Sequence, residues 1–296
     1  MKNILIIGAN GFTGRRILND LSVNPIYHVT GCSLRDDICP GKDYRFVRTD
    51  IRDENEVRKL FKECRPDIVI NTSALSVPDY CETHHAEAEA TNVTAVETIA
   101  HVCEQYGSRF IHLSTDFVFD GKSTRLYKEE DEAIPVNYYG VTKLKAEKII
   151  ASICSNYAIV RVVVVYGKAL PGQHGNILQL VANRLRNGET IRVVSDQWRT
   201  PTFVGDISVG VEKLMFHTAN GIYHICGSEC LTIAEIAYRV ADFLKLDRSL
   251  IEPVTTEEMK EVTPRPRFSG LSIEKAKAEI GYTPRTLEEG MDASLF

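Results

Sequence analysis

The sequence predicts a doubly wound α/β fold: a parallel sheet wrapped by helices, with a smaller, discontinuous substrate-binding region toward the C-terminus. Three observations predict it. Short, nearly continuous apolar runs such as Ile68-Val69-Ile70 alternate with helical segments, the pattern of parallel strands covered on both faces. A glycine-punctuated turn follows the first run, where a dinucleotide site sits in such folds. A tyrosine and a lysine four residues apart then share one face of a later helix.

The elements follow in order. Strands are expected over 3–7, 28–32, 67–71, 109–114 and 159–165, with helices over 13–22, 54–64, 85–106 and 138–152 between them. After Tyr166 the pattern loosens. Pro171, Gly172, Gly175 and Gly188 punctuate it, and Pro201, Pro253, Pro264, Pro266 and Pro284 crowd the remainder. A helix over 232–244 and short strands near 191–194 and 222–225 are expected there. The organisation is therefore a nucleotide-binding domain over 1–165, completed by a segment around 203–225, and a mainly substrate-binding region over 166–296.

Composition bounds the function. The chain has 296 residues, 44% of them hydrophobic and 25% charged, with 35 basic against 40 acidic side chains and a net charge of -5. Those fractions are ordinary for a globular protein. The absence of a basic run argues against a nucleic-acid or membrane-surface binder. The apolar run Ile4 to Ile7 stops at Gly8, well short of a signal-peptide core, and no stretch approaches the ~20 apolar residues of a membrane span. Eight scattered cysteines form no C-x-x-C pair, so reduced thiols and a cytoplasmic location are expected. Cys81, Glu82, His84 and His85 fit no zinc spacing, and no metal is expected.

The sharpest local signal is Ile7-Gly8-Ala9-Asn10-Gly11-Phe12-Thr13-Gly14. Gly8 permits a tight turn, Gly11 lets the backbone approach a pyrophosphate, and Gly14 allows a helix to pack closely on a strand. Free amides at the helix start then face the phosphates. The next strand ends Gly31-Cys32-Ser33-Leu34-Arg35, where an NAD site usually carries an acid. Ser33 and Arg35 suit a 2′-phosphate instead, so NADP(H) is favoured, with NAD(H) as the alternative. Asp50-Ile51 ends a further strand and is a candidate to flank the adenine.

Tyr139-Gly140-Val141-Thr142-Lys143 carries the chemistry. A phenol with a reference pKa of about 10 is a poor acid or base at neutral pH, and a nearby ammonium is expected to lower it. Tyr138 has uncharged Thr142 at i+4, so Tyr139 is the choice. Ser114-Thr115 lies at a strand's C-terminal end, the edge where open parallel sheets bind ligands.

The three-glycine loop, Asn92, Leu113-Ser114-Thr115-Asp116-Phe117-Val118-Phe119-Asp120-Gly121 and Tyr139-Gly140-Val141-Thr142-Lys143-Leu144 together resemble the extended short-chain dehydrogenase/reductases, most closely the dTDP-4-dehydrorhamnose reductase branch. The resemblance covers nearly the whole chain. It implies a triad of Thr115, Tyr139 and Lys143, in which a hydride reaches a keto carbon while Tyr139 protonates its oxygen. It also implies cofactor contacts by Ser73, Ala74 and Ser114, and substrate contacts by Asp116, Phe117 and Val118. Asn92 matches a position that supports a proton relay in the wider superfamily; the alternative is a residue bonding backbone within its helix. Trp198 is assigned to stack on a base or sugar, against simple packing, and Arg265 to bind the diphosphate of a nucleotide-sugar.

Departures from the branch are visible. Phe117 replaces a tyrosine, Val164 stands where the branch has tryptophan, and Phe268 and Ser272 replace an Asn and an Asp. They bear on the deoxysugar more than on the reduction. Gly31 to Arg35 also resembles the cofactor loop of the methionine adenosyltransferase β-subunit. The function expected is therefore an NAD(P)H-dependent reductase of a nucleotide-linked 4-keto-6-deoxysugar, with a nucleotide-sugar epimerase or dehydratase, or a non-catalytic NADP-binding regulatory subunit, as the alternatives. A homodimer is left open as the assembly.

Overall fold

In the computed structural model, which describes residues 1–41, 43–173 and 175–294, the chain begins with strand β1 (Lys2–Ile7) and helix α1 (Phe12–Ser22). Strands β2 (Tyr27–Ser33) and β3 (Arg45–Arg48) lead to α2 (Glu54–Cys64) and β4 (Ile68–Asn71). Next come α3 (Pro78–Thr83), α4 (His85–Glu89), a π-helical turn (Ala90–Thr94) and α5 (Ala95–Tyr106). Strand β5 (Arg109–Thr115), α6 (Tyr138–Ile153) and β6 (Tyr157–Val162) complete the first half.

The second half contains β7 (Val165–Tyr166), α7 (Ile177–Arg186), β8 (Ile191–Val194), β9 (Trp198–Arg199) and β10 (Thr202–Phe203). It continues with α8 (Val204–Phe216), β11 (Gly221–His224), β12 (Leu231–Thr232), α9 (Ile233–Leu244) and β13 (Ile251–Val254), and ends with α10 (Thr256–Met259), α11 (Glu274–Ile280) and α12 (Leu287–Ser294).

Seven parallel strands form the central sheet in the order β11-β6-β5-β4-β1-β2-β3. The fold is a doubly wound α/β architecture of Rossmann type. Because side chains alternate across a strand, Ile4, Ile6, Ile68, Ile70 and Ile111 enter the core beneath one face, packed with residues of α1 and α8. Leu5, Ile7, Val69, Phe110 and Ile159 enter the other, with residues of α2, α5 and α6. A third core joins α7, α9 and the β8–β13 pair through Leu178, Val181, Leu185, Ile191, Ile236 and Val240.

Three differences from the sequence pattern have physical causes. The helix expected over 85–106 contains a π turn at its first third, which carries the buried Asn92. The strand expected to reach residue 165 ends at Val162, because Val164 adopts φ 37°, outside strand geometry. The run ending at Asp50-Ile51 forms β3 only as far as Arg48.

Behind the sheet's C-terminal edge, the buried Arg161 of β6 makes a two-pronged ion pair with the buried Glu147 of α6, which also accepts from Ser114 Oγ of β5. Arg161 also lies over the Phe119 ring. Removing one partner of such a buried pair strands the other charge. Glu147→Ala is therefore expected to lower stability by about 3–5 kcal/mol, measured by urea unfolding. A loss near that of an ordinary surface substitution would show the pair to be dispensable.

Candidate active site

The order of the sheet reverses between β1 and β4, and a cavity of about 1040 Å³ opens there at the C-terminal ends of the strands, where such sheets bind ligands. At one end lies the glycine turn. Gly8 has φ +84°, and a Cβ on Gly14 would sit 2.3 Å from the Gly8 carbonyl oxygen and 2.5 Å from Thr72 Oγ1. Only glycine permits this approach of α1 to the β1–α1 turn. Gly11 caps α1 without a side-chain hydrogen bond, so the first amides of the helix keep the donor capacity that suits a phosphate. The turn thus fits a dinucleotide pyrophosphate.

Gly8, Gly11, Phe12, Thr13 and Gly14 all line the cavity, as do Ser33, Arg35, Asp50, Ile51, Ser73, Ala74 and Ser114. Arg35 is exposed at its rim. Asp50 pairs with Arg52, which holds its carboxyl below the usual range. Asn10 also borders the cavity, but its side chain is committed elsewhere. Its Nδ2 donates to the carbonyls of Arg35 and Asp36, and its Oδ1 accepts from Arg15. It braces the 35–38 loop rather than offering a free amide.

The opposite end is built by the start of α6. Asn137 caps that helix, accepting from Gly140 N at 2.9 Å, and its own amide donates to the Pro264 carbonyl. A Cβ on Gly140 would lie 2.1 Å from the Phe117 carbonyl oxygen, so the helix rests directly on the turn that follows β5. This contact brings Tyr139 beside Thr115 at the cavity wall. Phe117 packs edge-on against the Tyr139 ring at 6.0 Å. Thr115 Oγ1 donates to Asp116 Oδ1 and accepts from Phe117 N. Asp116 is buried, bonded by Ser269 and 3.9 Å from Arg199; burial pushes its carboxyl pKa up against the pull of Arg199. Tyr138 instead donates to Glu89 and stacks on His85 at 3.6 Å.

Lys143 is buried on the cavity floor, with Nζ 2.9 Å from His112 Nε2 and 2.7 Å from the Leu113 carbonyl. This corrects the electrostatic expectation. Burial dominates both members of the pair, pushing the Tyr139 phenol up and the Lys143 ammonium down to about 8.

Three assigned residues lie off the cavity lining. Asn92 is fully buried and staples the 74–76 loop to α6, its side chain accepting from Leu75 N and donating to the Leu75 carbonyl and Thr142 Oγ1. Val118 is fully buried in the sheet core because the turn after β5 points it inward. Trp198 belongs to β9, where backbone pairing with Arg267 and β12 leaves its ring partly exposed. Arg265 does reach the cavity, held by Asp79 at 3.6 Å and Glu261 at 3.3 Å. Among the described residues, no group of three His, Cys, Asp or Glu is placed to hold a metal, and no helix is long and apolar enough to cross a membrane.

The structure adds residues that the motifs did not name. Thr72 seals the glycine turn by donating to the Ile7 carbonyl, and Gln173 reaches from the second half to the Asn10 carbonyl. Val164 also lines the cavity, at a φ that is strained for a β-branched side chain.

Residues 1–295 match the RmlD substrate binding domain family. The chain belongs to that family. Among its relatives is a probable low-salt glycan biosynthesis reductase of Haloferax volcanii, 30% identical over 97% of this chain and 95% of that protein. Methionine adenosyltransferase 2 subunit beta of Xenopus laevis is 31% identical over 96% of this chain and 84% of the relative. A crystal structure of dTDP-4-dehydrorhamnose reductase from Bacillus anthracis, in complex with NADP, superposes with a TM-score of 0.87 at 26% identity, covering 100% of this chain and 99% of that one.

The buried Lys143 has a consequence for stability. Its folded pKa of about 8 lies below the unfolded value near 10.5, so between them the unfolded chain binds more protons and stability rises with pH. Relative to Lys143→Met, the wild type is expected to gain on the order of 3 kcal/mol between pH 8 and pH 10.5. Parallel denaturant titrations of the two proteins measure this, and curves offset by a constant would contradict it.

Proposed function

We propose that the protein is an NADPH-dependent reductase of a nucleotide-linked 4-keto-6-deoxysugar. The observation that carries this reading is the placement of Thr115, Tyr139 and Lys143 in the same cavity as the glycine turn. The dTDP-4-dehydrorhamnose reductases among its structural neighbours support the ketosugar, and the NADP held by one of them supports the cofactor.

Gly8, Gly11, Gly14 and Arg35 would hold NADPH, which when bound would supply the hydride. The phenol of Tyr139, kept protonated by burial, is the acid that protonates the ketone oxygen. The Thr115 hydroxyl would donate to that oxygen after turning its proton away from Asp116. Asp116 holds the Thr115 hydroxyl, and Arg265 meets the diphosphate once it leaves Asp79. Lys143, on the cavity floor, would be the residue that holds the cofactor's ribose hydroxyls.

Tyr139→Phe is expected to lower the rate of NADPH oxidation with dTDP-4-dehydrorhamnose by about 10²-fold or more, the usual weight of a general acid, with NADPH affinity little changed. Undiminished turnover would sink the mechanism. Arg35→Ala is expected to weaken NADPH binding while leaving NADH binding nearly unaltered, measured by fluorescence titration; equal losses for the two would remove Arg35 from 2′-phosphate recognition.

A second reading is favoured by the methionine adenosyltransferase subunits, which match almost the whole chain. In that reading the cavity binds NADP and the protein regulates a partner enzyme. Stoichiometric complex formation with such an enzyme, and no turnover on a panel of nucleotide ketosugars, would select it.

A further inference from the structure

Below the catalytic pair runs a line of buried polar groups whose hydrogen-bond directions are fixed. Asn71 of β4 and His112 of β5 are register partners, and both are fully buried. Ser73 N donates to Asn71 Oδ1 at 3.0 Å, and Ser73 Oγ lies 2.6 Å from the same oxygen. A backbone N–H can only donate, so the Asn71 oxygen faces Ser73 and its NH₂ faces His112. Asn71 Nδ2 is 3.1 Å from His112 Nδ1, which must therefore accept. Burial keeps the imidazole neutral, and its one proton then belongs on Nε2. That nitrogen is 2.9 Å from Lys143 Nζ.

An ammonium has no lone pair and cannot accept this proton. Placing the histidine proton on Nδ1 instead would set it against the Asn71 NH₂. Every contact is satisfied when Lys143 is a neutral amine, accepting from His112 Nε2–H and donating to the Leu113 carbonyl at 2.7 Å. The geometry points to His112, oriented by Asn71, as a positioning residue that draws neutral Lys143 down onto β5, and to proton uptake by Lys143 when NADPH binding calls its nitrogen back into the cavity. The second step rests on the proposed function; the first does not.

The charged and titratable groups around Lys143 agree with this arrangement. On its own helix, Glu147 favours the ammonium, but Arg161 of β6 is paired to it. Tyr139, one turn before, keeps its proton. Asp116, after β5, is tied to Ser269 and faces Arg199. The end of β4 and the residue that follows it present Asn71 and Thr72, both uncharged. His112 is the group in direct contact. When Lys143 takes a proton from solvent, its contact with His112 Nε2–H becomes donor against donor and the chain opens.

Two measurements on the full-length protein test this. Nitrogen NMR of ligand-free protein at pH 9, where Lys143 is neutral, is expected to show His112 protonated on Nε2 and bare on Nδ1. The opposite tautomer would overturn the chain. Calorimetry of NADPH binding at pH 9, in two buffers of different ionisation enthalpy, is expected to show uptake of most of one proton, falling toward zero below pH 7 and absent in Lys143→Met. His112→Phe removes the donor to the neutral amine, so its uptake curve is expected to move to higher pH by about one unit. Tight NADPH binding without proton uptake at pH 9, or an uptake curve indifferent to His112→Phe, would overturn the second step. Failure to bind NADPH at all would overturn both that step and the proposed function, with the tautomer still deciding the chain.

Discussion

The geometry of this protein depends on two places where backbone meets backbone with no side chain between. Gly14 lies against the Gly8 carbonyl, and Gly140 against the Phe117 carbonyl. The first fixes where α1 starts relative to β1 and leaves the helix amides open at the cavity. The second seats α6 on the turn after β5 and brings Tyr139 to Thr115. Together they set the span between the glycine turn and the Tyr139 phenol. Methyl groups at these positions would move whole helices, because their neighbours are main chain and cannot yield as a flexible side chain would.

Between those contacts, the floor of the cavity is built from buried polar groups rather than apolar ones. Glu147 is satisfied by Arg161 and Ser114, Asp116 by Ser269 and Thr115, and Lys143 by His112 and Leu113. Each group lost hydration on folding, and each recovers it from fixed partners. A floor of this kind resists rearrangement, since moving one member leaves another unpaired. The strained Val164 at the cavity wall fits the same picture: surroundings that over-determine the backbone can hold one residue outside its preferred region.

Much of this was legible in the sequence because it rests on local pattern. The strand–turn–helix with Gly8, Gly11 and Gly14 is contiguous, as is the Tyr139–Lys143 helix, and period and spacing suffice to read both. The boundaries of α2 follow directly from its helical run. What escaped depends on distant partners. Asn92 faces Leu75 and Thr142 because of the π turn, and nothing in its neighbours announces that. Val118 belongs to a motif that carries Ser114, Thr115, Asp116 and Phe117 into the cavity, yet its position in the turn sends it into the core. Trp198 is fixed by pairing with a strand more than thirty residues later. Asn71 and His112 fall within the strands expected over 67–71 and 109–114, Asn71 at the last position of its strand. Their significance appears only when parallel register sets them side by side.

The same distinction applies to electrostatics. Spacing places a cation one helical turn from a phenol, and in water that arrangement favours the phenolate. Within the fold the lost hydration of each group outweighs that attraction and favours the neutral form of both. A neutral phenol is the form that donates a proton, and it suits the reductive direction. For the reverse reaction the phenolate would be the required base, and it would have to be stabilised by a Lys143 that had taken up a proton and turned back from His112. The ionic state of the lysine therefore bears on direction, and that state is governed from beneath, by an imidazole whose own proton is fixed by an asparagine amide. A lysine left to solvent at this position would be an ammonium at every physiological pH and would carry no such control.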